Sequence, residues 1–203
     1  MITADKVLSE PQLSRLLKRL RSEKDKSVTS IQSSAKPLPK EVRTIMDYFL
    51  FTLIANTGLR ISEALNLKWS DIHDDFLIVQ LEISKNGRKG SVYFGTKTRA
   101  LLDELRKLKP AITDDLNDSL FSVKGKVATR CYMHVRFKYW LQQTGLPNTF
   151  SIHSLRHTYG TQCLDKGLSL TFVRDNLRHS NISITSQYLH LTQENRDKVK
   201  DLF

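Results

Sequence analysis

The sequence predicts a mainly helical α+β domain with one small antiparallel β-sheet. Three observations lead there. Apolar residues recur at helical spacing, as in Val42, Ile45, Met46, Phe49, Leu50, Leu53 and Ile54. Two β-rich runs, residues 76–83 and 91–95, flank a basic, glycine-containing segment, the pattern of a hairpin. Every apolar run after Gly95 has helical rather than alternating periodicity. A chain of 203 residues, 39% hydrophobic, can enclose one core.

Taken in order, Ser9 reads as the N-cap of a first helix, with Pro11 in its first turn and Leu13, Leu16, Leu17 and Leu20 on one face. Residues 22–36 are rich in Ser and Lys and lack periodicity, so a mobile loop is expected there. Helix resumes after Pro39, and Gly58 supplies its C-terminal stop. The hairpin follows, its loop holding Lys85, Arg88 and Lys89. Helices are then expected over 97–109, 128–143, 153–166, 170–177, 182–189 and 194–202.

A net charge of +11 favours a polyanionic partner, because clustered cations displace counterions from nucleic acid. The longest apolar stretch, residues 48–55, is far below the roughly 20 residues of a membrane span. The N-terminus has no apolar secretory core. Cys131 and Cys163 fit no metal-ligand spacing and are expected as reduced core thiols in a cytoplasmic protein, nucleoid-associated when bound to DNA.

Three segments carry chemistry: Thr57-Gly58-Leu59-Arg60-Ile61-Ser62-Glu63-Ala64-Leu65, then His153-Ser154-Leu155-Arg156-His157, then Leu177-Arg178-His179 with Tyr188 nine residues beyond the histidine. Arginine suits an anionic phosphate, since its planar fork donates two parallel hydrogen bonds and keeps its charge. Glu63 lies three residues after Arg60, on the same helical face, where it can orient the guanidinium. A tyrosine hydroxyl, with pKa about 10, needs a base or a strongly positive field to act as a nucleophile, and His153 or His179 could assist.

In order and spacing, these segments resemble the catalytic motifs of the tyrosine recombinases, also called phage integrases. The resemblance implies that family's catalytic-domain fold and site-specific recombination of double-stranded DNA, without metal or ATP, through a 3′-phosphotyrosyl link. It assigns Arg60, Arg156 and His179 to the phosphate, His153 to proton transfer and Tyr188 to the attack. Lys85 matches the family's hairpin lysine, the proton donor to the departing 5′-oxygen, with Lys89 as rival. Arg88, Lys89 and Arg178 are expected against DNA. The family's usual residue before the third-motif histidine is glycine; here it is Arg178.

The whole chain, 1–203, reads as one catalytic domain without the N-terminal helical domain that such enzymes use to clamp DNA. Residues 191–203 are expected to dock on a neighbouring subunit or on their own domain, and the family works as a homo-oligomer, a tetramer in synapsis. No cofactor is expected. His153 and His157 at i and i+4 invite a zinc reading, but Ser154 stands where a zincin has glutamate. The alternatives are type IB topoisomerase-like strand relaxation and a catalytically silent DNA-binding regulator.

Overall fold

The computed structural model describes residues 4–33, 37–80, 89–113, 117–179 and Thr185. Its helices are α1 (Glu10–Gln32), α2 (Pro39–Thr57), α3 (Ile61–Leu65), α4 (Thr96–Ile112), α5 (Arg130–Gln143), α6 (Ile152–Asp165) and α7 (Leu170–Leu177). Antiparallel strands β1 (Phe76–Gln80) and β2 (Lys89–Tyr93) form the expected sheet, in register from Phe76 opposite Tyr93 to Gln80 opposite Lys89. The strand expected to run to Gly95 ends at Tyr93 because Gly95 is already the N-cap of α4. Among the described residues, no helix is long and apolar enough to cross a membrane.

Helix α1 starts as its sequence requires. Gln12 N–H donates to Ser9 Oγ at 3.4 Å, and Ser9 N–H donates to Gln12 Oε1 at 2.8 Å. The loop expected over 22–36 is corrected: residues 22–32 continue α1, while 34–36 fall outside the described residues. Local composition lost to tertiary partners here. Lys24, only 4% exposed, places Nζ 2.5 Å from both Glu104 and Asp25, above the Tyr48 ring. Ile31 joins the core, and the Ser27 and Thr29 hydroxyls donate to the carbonyls of Glu23 and Asp25. Packing against α2 supplies the stability that propensity lacks.

Helix α2 is the axis of the molecule. It contacts α1, α3, α4 and α6, and Ile45, Phe49, Leu50, Phe51, Leu53 and Ile54 are all buried, so its apolar surface wraps nearly the full circumference. Phe51 meets Phe137 of α5 edge to face, with ring centroids 5.2 Å apart. The one charged residue buried on it is Asp47, 1% exposed. Its Oδ2 accepts from Arg136 Nε at 2.9 Å, Arg136 Nη2 at 2.5 Å and Trp140 Nε1 at 2.8 Å, so three donors offset part of the cost of burying the carboxylate, whose pKa desolvation still raises.

A second hairpin, absent from the sequence expectation, joins β3 (Ser122–Val123) to β4 (Lys126–Val127). Lys124 and Gly125 both have positive φ, 52° and 74°, the backbone of a tight primed turn. Two-residue strands leave no periodic signal, and Lys124 is not a residue that announces such a turn. Cys163 is buried as expected, but Cys131 is exposed on α5, and neither forms a disulfide.

Candidate functional site

The site begins where α2 stops. Gly58 takes the left-handed conformation, φ 65°, and its N–H closes the helix on Ile54 O at 2.8 Å. A side chain here would be strained, and it would also collide, since a Cβ would lie 2.6 Å from Leu177 Cδ2 and from Tyr159 Cδ1. The chain then turns straight into α3, with Arg60 as the extended N-cap residue. Glu63 reaches back, accepting from Arg60 N–H at 2.7 Å and Arg60 Nη1 at 2.8 Å. The Arg60 side chain keeps 25% of its surface exposed while Glu63 is fully enclosed.

Helix α6 brings Arg156 to the same place. Arg156 is 1% exposed; Nη1 donates to Gly58 O at 2.5 Å and Nη2 donates to Leu177 O. Two carbonyls, one at the end of α2 and one at the end of α7, thus fix a single guanidinium. His153 lies one turn before it and His157 one residue after, their rings edge to face with centroids 4.6 Å apart. His153 is open to solvent on one side. Desolvation of the rest of its ring, with the charges of Arg156 and then Arg60, lowers its pKa to about 4. Desolvation, His153 and Arg156 likewise lower His157 to about 4.

The end of α7 completes the group. Arg178 is left-handed, φ 56°, with its N–H bonded to Asp175 O and the His179 N–H bonded to Arg174 O, both at 3.0 Å. This is a Schellman closure, whose left-handed position is usually glycine. His179 Nδ1 lies 2.8 Å from the hydroxyl of the buried Thr185. Burial, followed by Arg156 and Arg60, takes the His179 pKa down to about 3, so the imidazole is neutral at physiological pH.

Arg60, Glu63, His153, Arg156 and His179, chosen from three distant segments, therefore converge. Lys89 is exposed at the start of β2, whereas Lys85, Arg88 and Tyr188 lie outside the described residues. Arg178 requires correction. Expected against DNA, its side chain is only 5% exposed and points inward, forking onto Glu63 through Nη2 at 2.5 Å and Nε at 3.3 Å. Burial costs this guanidinium its hydration, which lowers its pKa, and the Glu63 carboxylate offsets part of that cost. Among the described residues no three His, Cys, Asp or Glu side chains group as metal ligands, so the His153–His157 pair gains no third donor there.

Sequence reasoning missed two contributors. Thr185 carried no signal beyond a threonine six residues after His179. Asn176 carried one: it falls on the buried face of α7 between Val173 and Leu177, where an apolar residue belongs. Its Oδ1 accepts from Tyr93 N–H at 2.6 Å, and its Nδ2 donates to Tyr93 O at 3.3 Å and to Tyr159 Oη at 2.6 Å. One amide thereby ties the hairpin to α7, the helix that leads into His179. Tyr159, buried in this contact, has its pKa raised, first by desolvation and then by Cys163, which makes its hydroxyl a poorer nucleophile still.

A sequence profile of the phage integrase family matches residues 6–195. A tyrosine recombinase of Pseudothermotoga lettingae is 30% identical over 174 residues, covering 81% of this chain and 59% of its own length. The crystal structure of XerA recombinase superposes with a TM-score of 0.74 at 22% identity, over 97% of this chain and 64% of that one. The catalytic domain of bacteriophage HP1 integrase gives 0.58 at 20% identity, over 96% of this chain and 93% of that one. The two structural likenesses show the fold, and this chain spans about three fifths of the length of the Pseudothermotoga relative.

Proposed function

The chain belongs to the phage integrase family, and on that premise we propose that it is a site-specific DNA recombinase that breaks and rejoins strands through Tyr188. The observation that carries this reading is the Arg156 guanidinium, held by the Gly58 and Leu177 carbonyls so that the Arg60, His153 and His179 segments meet around one fixed positive charge. Charge fixed before the reaction needs no reorganisation during it, which favours a transition state whose non-bridging oxygens gather negative charge.

In the proposed reaction Arg60, Arg156 and His179 hold the scissile phosphate. The Tyr188 oxygen attacks phosphorus, the bond to the 5′-oxygen breaks, and a 3′-phosphotyrosyl link remains. His153, neutral because its pKa is low, takes the phenolic proton. Lys85 gives a proton to the departing 5′-oxygen, and Lys89 and Arg88 lie against the DNA backbone. The 5′-hydroxyl of a partner strand then reverses the bond, so the phosphodiester energy is kept and neither ATP nor metal is required. If Thr185 donates to His179 Nδ1, Nε2 carries the hydrogen and can donate to a phosphate oxygen. The partner is double-stranded DNA, on which the protein assembles as a homo-oligomer, four subunits in synapsis; residues 191–203 lie outside the described residues, and docking on a neighbour or on their own domain remains the pair of alternatives for them.

The test uses a pool of nicked suicide duplexes randomised around the nick. Wild type should leave a covalent protein–DNA band on a denaturing gel in excess EDTA, and Tyr188→Phe should bind the recovered duplex but leave none. A band from the Phe variant, or loss of the wild-type band in chelator, would overturn the mechanism. Relaxation of supercoiled plasmid without a specific site would instead mark a topoisomerase.

A further inference from the structure

Glu63 is an enclosed carboxylate with four N–H donors on its two oxygens. Oε1 takes Arg60 Nη1 at 2.8 Å and Arg178 Nε at 3.3 Å; Oε2 takes the Arg60 backbone N–H at 2.7 Å and Arg178 Nη2 at 2.5 Å. A carboxylate offers about four lone-pair directions, so this one is saturated. Arg178 also donates Nη1 to Asn176 O at 2.5 Å, and its side chain, 5% exposed, does not face solvent. Arg178 does all this from a left-handed backbone position that glycine would occupy with less strain. A long charged residue at such a position is costly unless its head group has a task.

That task follows from charge. With Arg178 present, two guanidiniums share one carboxylate and the group carries a net +1. With glycine at 178, Glu63 and Arg60 would form a closed pair with no net charge. We propose that Arg178 is a positioning residue: it takes up the charge of Glu63, so that Glu63 can orient Arg60 without neutralising the cation that Arg60 presents to the scissile phosphate. The inference rests on the recombinase reading above and extends it to a residue that does not touch DNA.

The experiment measures single-turnover covalent complex formation on the suicide duplex recovered from the randomised pool, with DNA affinity and its salt dependence determined separately. Arg178→Gly relieves the backbone and should still slow cleavage by about tenfold or more at saturating DNA, with affinity and salt slope nearly unchanged. Adding Glu63→Gln to that variant removes the uncompensated carboxylate, keeps an oxygen to accept from Arg60, and restores the net +1. The double variant should therefore cleave at least several-fold faster than Arg178→Gly alone.

A purely structural Arg178 would make the two substitutions additive in damage, so a double variant as slow as the single, or slower, overturns the proposal. So does wild-type cleavage by Arg178→Gly, or a salt slope reduced by about one, which would put Arg178 on a phosphate. Thermal unfolding of each variant separates loss of fold from loss of rate. Absence of a Tyr188 adduct in the wild type overturns the parent reading and this one with it.

Discussion

Replacing Gly58 by alanine tests the junction on which the site is built. Gly58 has φ 65°, and a left-handed alanine costs about 1–2 kcal/mol. The added Cβ would also stand 2.6 Å from Leu177 Cδ2 and from Tyr159 Cδ1, closer than real contacts allow, and overpacking of this kind costs about 1–3 kcal/mol. The sum is about 2–5 kcal/mol. Gly145 is a built-in control, since its φ is 62° and nothing lies within 4 Å of its Cβ direction, so Gly145→Ala should lose only the conformational part. Urea unfolding of both variants, compared at equal m-value, isolates the collision as the difference between them. Because the Gly58 carbonyl also fixes Arg156, cleavage by Gly58→Ala should fall even at temperatures where the variant is fully folded. Equal losses for the two glycines, or folded Gly58→Ala cleaving at the wild-type rate, would refute the argument.

Four further outcomes can be measured. A general base with pKa about 4 stays neutral at pH 5.5, whereas one at the ordinary 6.5 would be about 90% protonated, so kcat/KM should hold steady from pH 8 to 5.5 rather than fall about tenfold. Stability moves oppositely over that range: His153, His157 and His179 have folded pKa values below the unfolded 6.5, so the unfolded chain takes up protons first and the melting temperature should drop as pH falls from 6.5 towards 4. Asn176→Leu keeps the volume but strips the Tyr93 N–H and C=O of their partner, and should cost about 2–4 kcal/mol in chemical denaturation; a loss below about 1 would mean water replaces the amide. Lys85→Ala should slow cleavage about 10²- to 10⁴-fold yet recover most of its rate when the bridging 5′-oxygen is replaced by sulfur, a leaving group that needs no proton, while Arg60→Ala and Arg156→Ala stay slow; equal Lys85→Ala defects on both substrates would move the acid to Lys89 or remove it.

By itself the sequence determined whatever depends on a residue and its near neighbours. The Ser9 cap, the stop at Gly58, the buried stripe of α2, the pairing of two strands across a basic loop and the reach of Glu63 back to Arg60 are set by local sequence, and each was legible, although the full apolar wrap of α2 and the end of the hairpin at Tyr93 were not. The order of the three motifs was legible too, because chemistry on a phosphate restricts which residue types can serve. Tertiary structure decided what depends on partners far along the chain. Lys24 turns a serine- and lysine-rich stretch into helix through Glu104, 80 positions away. Arg156 finds its carbonyl at Gly58, 98 positions back, and Asn176 finds Tyr93 across 83. Arg178 turns from DNA to Glu63 across 115. A charge has no preferred direction in sequence. It goes to the strongest opposite charge that folding encloses beside it, and only the packed interior fixes which one that is.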